Sequence, residues 1–542
     1  MYYRIIENIH SNSRIGKPQF GNLKEETDMG KYKKLQNGSD IRGIAITGVP
    51  GESPNLTADE AADIARGFLA WLCGRLNKKP EDMKLAVGRD SRVSGQHLMD
   101  GLMNGFGPYG CKVFDCGLAS TPAMFMATVF PEFQCDGTVM ITASHLPYNR
   151  NGFKFFTREG GLDKKDIADI LNYAEHEDIC REKIGAPSNK DGFIHRLGKR
   201  VFPMEKAGLM ELYCGHLRKL IIDGTGKGQR PLEGMKIVVD AGNGSGGFFA
   251  TEVLKPLGAN TKDSQFLEPD GMFLNHAPNP EDREAMNSIS MQVVSKGADL
   301  GIIFDTDVDR SAAVDSRGRE IARNGIVAMA AALVAESHPG STVVTDSITS
   351  RQLTEFLEKK LKLKHFRFKR GYKNVINKGV ELNEQGIDCQ LAIETSGHAA
   401  LKENYFLDDG AYLATKIVIK AAILFSEGKH IDSVIEELKN PEDEREVRIP
   451  ILAGDFAVYA DKVLSDLEEH VEKSEGVSLE EPNYEGVRIN FGSGWCLLRK
   501  SLHDPILPMN MAADEKKGCD VIYAFMKEFL SSYEELDLSV IK

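Results

Sequence analysis

Three aspartates at alternate positions, Asp305, Asp307 and Asp309, with Arg310 directly after them, form the densest chemical signal in the chain. The apolar run Leu300-Gly-Ile-Ile-Phe304 in front of them reads as a buried strand. A tight loop after such a strand can turn all three carboxylates toward one hard cation, and oxygen ligands of this kind suit Mg2+. Without a cation, three adjacent carboxylates at a buried strand end would repel one another. A solvated acidic turn is the alternative for the motif taken alone. An EF-hand is excluded, because the glycine and distal glutamate of that loop are missing. Arg310 is placed to neutralise a phosphoryl oxygen.

A second stretch, Thr142-Ala-Ser-His-Leu-Pro-Tyr-Asn-Arg-Asn-Gly-Phe-Lys154, follows the apolar run Val139-Met-Ile141. A serine at the end of a strand, with a histidine beside it, sits where α/β proteins place reactive groups. Ser144 is read as the carrier of a phosphoryl group; a polar turn is the plainer alternative. Glu394-Thr-Ser-Gly-His398 offers acceptors, a donor and an imidazole that suit the vicinal hydroxyls of a sugar, although a capped turn has the same composition. Arg499-Lys-Ser501-Leu-His503 follows the strand-like Trp495-Cys-Leu-Leu498. Arg499 and Ser501 can clamp a phosphate there, arginine giving bidentate contacts; a basic turn at a domain rim fits as well. Lys373, in Gly371-Tyr-Lys-Asn-Val375, is one lysine on a turn, for which a surface position is the default.

The elements that position these groups repeat. Lys84-Leu-Ala-Val-Gly-Arg-Asp90, Met235-Lys-Ile-Val-Val-Asp240 and Ser341-Thr-Val-Val-Thr-Asp346 are β-rich runs ending in aspartate, each leading into a helical stretch. A second apolar run follows each and ends at Ser144, Asp305 and Glu394 in turn. Alternating strands and helices with polar clusters at strand ends predict α/β units with mixed or parallel sheets. The expected architecture is three similar α/β domains in tandem and a smaller C-terminal α+β domain around a central cleft. The boundaries are set at 1–35 for a loosely ordered extension, then 36–230, 231–338, 339–446 and 447–542. Thr57 and Glu60 form a capping box, after which Ile64, Ala65, Phe68, Leu69, Leu72 and Leu76 make one apolar stripe. The charged stretch 440–446 separates the last domain, whose closing helix carries Val521, Ile522, Phe525, Met526, Phe529 and Leu530.

At 542 residues the chain exceeds a single core. A net charge of −13 disfavours a nucleic-acid partner. No apolar stretch approaches the roughly 20 residues of a membrane span. The nine cysteines are scattered, with no C-x-x-C pair, and are expected as free thiols in a reducing, cytoplasmic compartment. A plastid stroma is the alternative if the N-terminus is a trimmed precursor.

In order and combination these motifs resemble the α-D-phosphohexomutase superfamily, the phosphoglucomutase and phosphomannomutase enzymes. The resemblance begins at Asp40-Ile-Arg42-Gly43 and continues through Gly88-Arg-Asp-Ser-Arg92, the serine loop, Pro269-Asp-Gly271 and Asn275-His276. It closes with the aspartate loop and E-x-S-G-H. It implies a phosphohexose mutase of the isomerase class acting on hexose phosphates of glucose, mannose or both. Phosphate would rest on Ser144, with one Mg2+ held by Asp305, Asp307, Asp309 and a phosphoryl oxygen of Ser144. Glucose 1,6-bisphosphate would be intermediate and activator. His145, Lys154, Arg42, Arg310 and His398 become the catalytic candidates, with Glu394 and Ser396 on the sugar. Lys373, Arg499, Ser501 and His503 would hold the distal phosphate. A monomer or weak homodimer is expected.

Two places depart from the family pattern. Its phosphate loop reads Arg-x-Ser-(Gly or Asn)-Thr-Glu-Pro, where this chain has Leu502, His503 and Asp504. Losing one hydrogen bond to a charged phosphate costs on the order of 1.5–3 kcal/mol. The second is Leu146-Pro-Tyr-Asn149 after His145, where members commonly have Asn-Pro. A serine/metal phosphohydrolase and a non-catalytic sugar-phosphate-binding regulator are the competing readings.

Overall fold

The computed structural model describes residues 30–189, 192, 194–196, 199–501 and 504–540. Each of the three aspartate-ended strands pairs in parallel with the strand that runs into a chemical loop. Lys84–Arg89 lies beside Gly137–Ile141, with Arg89 opposite Ile141. Ile237–Asp240 lies beside Leu300–Phe304, with Asp240 opposite Ile303. Thr342–Thr345 lies beside Cys389–Ile393, with Thr345 opposite Ile393. An antiparallel return strand follows each loop: Arg150–Thr157, Ser311–Asp315 and Ala399–Leu401. Ser144, Asp305 and Glu394 therefore stand just past the same end of three equivalent strands. All three carrying strands are buried along their whole length. Continuous apolar runs are what a sheet covered on both faces requires.

The first sheet has eight strands, the second four and the third five. One apolar cluster runs through all three units, joining the helices Thr121–Val129, Leu209–Thr225, Asn324–Ser337 and Gly410–Ser426 to sheet residues such as Ile302 and Leu391. This shared core fixes the strand ends relative to one another, because close-packed interiors do not slide freely.

The fourth sheet is antiparallel, in the order Asp443–Pro450, Ile506–Ala513, Gly494–Leu498, Val487–Asn490, Ser478–Leu479. Helices Phe456–Glu472 and Gly518–Leu530 cover one face. The other face sets Trp495, Leu497 and Ala512 against Ile348 of the third unit. Arg488 stacks on Trp495, its guanidinium carbon 3.7 Å from the ring centroid. It also donates to the carbonyls of Ser347 (2.8 Å) and Thr349 (3.1 Å), which joins the fourth sheet to the third. The strand Gly494–Leu498 leads directly into Arg499, which lies in the field of Glu485, Arg370, Glu446 and Asp346.

The Thr57–Glu60 capping box forms at the start of Ala58–Leu76, and Ile64, Phe68, Leu69 and Leu72 are buried. Leu76 departs from the expected stripe at 39% exposure, since the helix has passed beyond its packing partners in its last turn. Val521 likewise faces outward at 71% exposure, and Cys519, one turn before Ile522, takes a core position on the buried face. Of the stretch read as an extension, residues 1–29 lie outside those described, whereas Tyr32 and Leu35 are buried in the first unit's core. The charged stretch expected to separate the last unit instead enters its edge strand at Asp443, with outward residues alternating along it. All nine cysteines are free. Among the described residues no helix is long and apolar enough to cross a membrane.

Candidate active site

Ser144 adopts φ 49°, a left-handed backbone that non-glycine residues rarely hold without a functional constraint. Its hydroxyl is 8% exposed as part of the residue and donates to Asp305 Oδ2 at 3.0 Å. Arg310 Nη2 donates to the same Oγ, also at 3.0 Å. Arg310 is in turn fixed by Asp305, which accepts from its main-chain N at 3.2 Å and from its Nε at 3.3 Å. The serine of the first unit and the carboxylate loop of the second thus share one set of hydrogen bonds.

The carboxylate oxygens of Asp305, Asp307 and Asp309 lie within 4.8 Å of one another, all buried. Asp307 Oδ2 accepts from Lys154 Nζ at 3.1 Å and from the Thr121 hydroxyl, and Asp309 Oδ2 accepts from Lys154. The other oxygens, Asp307 Oδ1 and Asp309 Oδ1, are buried with no hydrogen-bond partner among the described residues. Burial, with Asp309 and Asp307 alongside, pushes the Asp305 carboxyl well above the usual carboxylate range. Burial acts the same way on Asp309, but Lys154, His398 and Arg310 outweigh it and hold that carboxyl below its usual range. Two unpartnered buried carboxylate oxygens and a third carboxyl destabilised by its neighbours form a cluster that could hold a cation. An all-oxygen donor set fits a hard divalent ion.

Cations surround this cluster. Burial disfavours the Lys154 ammonium, yet Asp307 and Asp309 raise it well above its ordinary value. Arg42 donates to Thr142 O at 2.9 Å and pairs with Asp40 at 2.7 Å. His145 is the exception. Burial, then Arg310, Arg42 and His398, lower its imidazole to about 2, so it is neutral. Its Nδ1 accepts from Arg310 Nη2 at 2.6 Å and lies 3.4 Å from Ser144 Oγ. A guanidinium only donates, so Nδ1 is the acceptor here, the ring proton is on Nε2, and His145 supports Arg310 beside the serine.

The third unit closes on the second through backbone contact. Arg310 and His398 form an isolated antiparallel bridge, and Ser311 N donates to Gly397 O at 3.3 Å. Gly397 sits at φ 95°, and a Cβ there would meet Ser311 O at 2.6 Å. His398 Nδ1 donates to Asp408 Oδ2 at 2.6 Å and stands 3.8 Å from Asp309. Burial disfavours its charge, but Asp408 and Asp309 raise it to about 9, which makes it an imidazolium at neutral pH. Glu394 accepts from Gly371 N at 2.6 Å and from Ser396 Oγ at 3.3 Å. Burial, reinforced by Asp346, lifts its carboxyl to about 7.

The far end of the cleft differs from expectation. Lys373 lines the same pocket as Lys154, Asp309 and Asp408, and its Nζ donates to Gly161 O at 2.6 Å and stands 3.4 Å from Asp163, on the side of the first unit. Along the chain Gly371, at φ 110°, lies between it and Arg370. Arg370 Nη2 donates to Glu281 Oε1 at 3.3 Å, and its field reaches Glu394, Asp346 and Arg499. Arg499 Nε is buried and unpartnered among the described residues. Ser501 Oγ accepts from Asp504 N at 3.2 Å. His503 and Leu502 lie outside the described residues. Besides Arg370, the site includes Thr121, Glu281 and Asp408, none of which stands in one of the motifs singled out from the sequence. Only Asp408 carried a signal, as an acidic pair with Asp409 at the start of a helix.

Three family models match in series: phosphoglucomutase/phosphomannomutase alpha/beta/alpha domain I over residues 33–179, domain II over 211–318 and domain III over 323–440. A phosphoglucomutase/phosphomannomutase from Thermococcus kodakarensis is 30% identical over 481 residues, 88% of this chain and 94% of the relative. The chain belongs to the phosphoglucomutase/phosphomannomutase family. A phosphomannomutase/phosphoglucomutase of Pseudomonas syringae pv. tomato is 28% identical over 92% of this chain and 96% of its own length. The crystal structure of a family protein from Burkholderia thailandensis shares the fold, with a TM-score of 0.71 at 24% identity, covering 91% of this chain and 96% of that one. Within this family fold, the first unit holds the serine, the second the carboxylates and the third the E-x-S-G-H loop.

Proposed function

We propose that the chain is a phosphohexose mutase that interconverts hexose 1-phosphate and hexose 6-phosphate, of glucose, mannose or both, through phosphoserine at Ser144 and a hexose 1,6-bisphosphate. One observation carries this reading: Ser144 Oγ lies 3.0 Å from both Asp305 Oδ2 and Arg310 Nη2, at the meeting of two units.

In the forward half, a P–O bond forms to the free sugar hydroxyl as the P–Oγ bond breaks. The electron pair of the broken bond stays on Ser144 Oγ, which ends as the free hydroxyl by taking up the equivalent of the proton that the sugar hydroxyl gives up. The return half reverses each change from the other end of the bisphosphate, so that the isomeric monophosphate leaves and phosphoserine is restored. Such transfers depend on alignment and charge neutralisation more than on covalent assistance. Arg310 stabilises the serine oxygen, and Lys154, Arg42 and His398 supply positive charge around the transferred group. Asp305, Asp307 and Asp309 would hold Mg2+, which when bound offsets their charge and that of a phosphoryl oxygen. Glu394 and Ser396 bind hydroxyls that superpose in the two orientations of the sugar, and Arg499 and Ser501, with Arg370, hold the distal phosphate. Burial of Ser144 limits water at the phosphoserine, which favours transfer over hydrolysis.

The test is an intact-mass measurement of the purified protein with glucose 1,6-bisphosphate, together with isomerisation assays on glucose 1-phosphate, mannose 1-phosphate and glucosamine 1-phosphate. A phosphoryl group on Ser144 with isomerisation of glucose or mannose phosphate is expected. Near wild-type turnover in Ser144→Ala would end the phosphoserine mechanism, and release of free phosphate without isomerisation would favour a hydrolase.

A further inference from the structure

Residues 144–150 hold the Leu146–Asn149 stretch that departs from the family pattern, and the guanidinium of Arg92 is bonded to their backbone. Its side chain has no exposed surface. Nη1 donates to the carbonyls of Pro147 at 2.8 Å and Arg150 at 3.0 Å. Nη2 donates to the carbonyls of Leu146, at 2.6 Å, and of Ser144. Four main-chain oxygens within seven residues thus converge on one side chain. Asp90, at the end of the first aspartate-ended strand, anchors it: its Oδ2 is 3.3 Å from Arg92 Nε, and its Oδ1 accepts from Arg92 N at 2.9 Å.

The second unit completes the arrangement. Phe273 lies against the guanidinium, whose carbon is 5.2 Å from the ring centroid. Gly271 comes so close that a Cβ would meet Ser91 O at 2.5 Å and both Arg92 Cα and Val93 N at 2.6 Å. The Pro269–Phe273 segment can take this seat only with glycine at 271. Arg92 makes no contact with Ser144 Oγ; it bonds the backbone that carries it.

We propose that Arg92 is a positioning residue for phosphoryl transfer, holding the strained backbone of Ser144, and that Phe273 makes this hold depend on the docking of the second unit. The proposal rests on reading Ser144 as the phosphoryl carrier. A φ of 49° at a non-glycine residue persists only when its surroundings over-determine it. A planar guanidinium fork can satisfy four carbonyls together, whereas an ammonium has three donors and no fixed plane. Loss of that geometry lets the serine drift, and a displacement of about 1 Å can cost about a hundredfold in rate.

The experiment uses the full chain as Arg92→Lys and, separately, Phe273→Leu. It measures the rate of phosphoryl uptake on Ser144 from glucose 1,6-bisphosphate by intact mass, the Kd for glucose 6-phosphate, and the folded fraction. Uptake is expected to slow about a hundredfold in Arg92→Lys and about tenfold in Phe273→Leu, with Kd and folded fraction close to wild type. A purely structural role would lower the folded fraction and weaken binding alongside the rate. Wild-type uptake in both variants overturns the proposal. So does a loss in Arg92→Lys that tracks the folded fraction while Phe273→Leu behaves as wild type. If Arg92→Lys does not fold, Phe273→Leu decides alone. Failure of the wild-type protein itself to take phosphate on Ser144 sinks the carrier reading instead, so the two failures are distinguishable.

Discussion

Arg310 Nη2 donates to both His145 Nδ1, at 2.6 Å, and Ser144 Oγ, at 3.0 Å, so one guanidinium from the second unit holds two neighbouring residues of the first. Arg310→Lys keeps the charge but cannot make both contacts in one plane. Turnover should fall by about a hundredfold, the scale for removing one preorganised donor at a reacting oxygen. KM should move far less, because the Arg310 guanidinium is engaged with Ser144, His145 and Asp305 and, among the described residues, makes no hydrogen bond to Glu394 or Ser396. Steady-state kinetics with fully phosphorylated enzyme would check this; an effect confined to KM would place Arg310 in substrate binding.

The crowded carboxylates give opposite stability effects with and without metal. In EDTA, Asp305→Asn should melt above the wild type, because it removes a buried carboxyl that Asp309 and Asp307 already disfavour. Mg2+ should stabilise the wild type by about 2.7 kcal/mol at a hundredfold excess over its dissociation constant. The variant should lose most of that rise. Thermal melts across a Mg2+ series decide it, and parallel melting of the two proteins at every concentration would argue against the cation site.

Glu394, lifted to about 7 by burial and then by Asp346, is protonated below that pH and ionised above it. A carboxylate accepts sugar hydroxyls at both oxygens, whereas the acid surrenders one acceptor position. KM for glucose 1-phosphate should therefore rise as pH falls through about 7, and Glu394→Gln should abolish that dependence. A pH–KM profile unchanged by the substitution would assign the titration elsewhere.

Gly397 combines a φ of 95° with a projected Cβ contact of 2.6 Å to Ser311 O. Gly397→Ala should cost about 1–3 kcal/mol from backbone strain alone. It should also loosen the seam between Arg310 and His398. Denaturant melts and turnover should fall together, and an alanine variant with wild-type values for both would show that the seam tolerates a shift.

The repeat was legible because its strands are largely buried and so spell short apolar runs, Leu85-Ala-Val87, Ile237-Val-Val239 and Val343-Val344, each followed within three residues by an aspartate: Asp90, Asp240 and Asp346. Ser144 and the Asp305–Arg310 loop stood out because they follow such runs at once, so local order fixed their position in space. A lysine near a turn carries no direction, so the sequence could not show that Lys373 reaches across to Gly161 while Arg370, three residues earlier, sits in the field of Glu394 and Arg499. Thr121, Glu281 and Asp408 reach the site only through tertiary packing. The same holds for Arg92, whose four carbonyl partners lie 52 to 58 residues further along the chain.

Three copies of one structural unit yield one reaction centre, because each copy contributes a different chemistry at the same strand end. The hydrogen bond from Ser144 to Asp305 crosses between two of the copies, and the bridge from Arg310 to His398 joins two of them as well. Division of labour among duplicated units has made them mutually obligate. A chain cut between the copies retains every reactive side chain and regains a working centre only through reassembly of the pieces, which makes fragment complementation a direct gauge of how tightly the copies depend on one another.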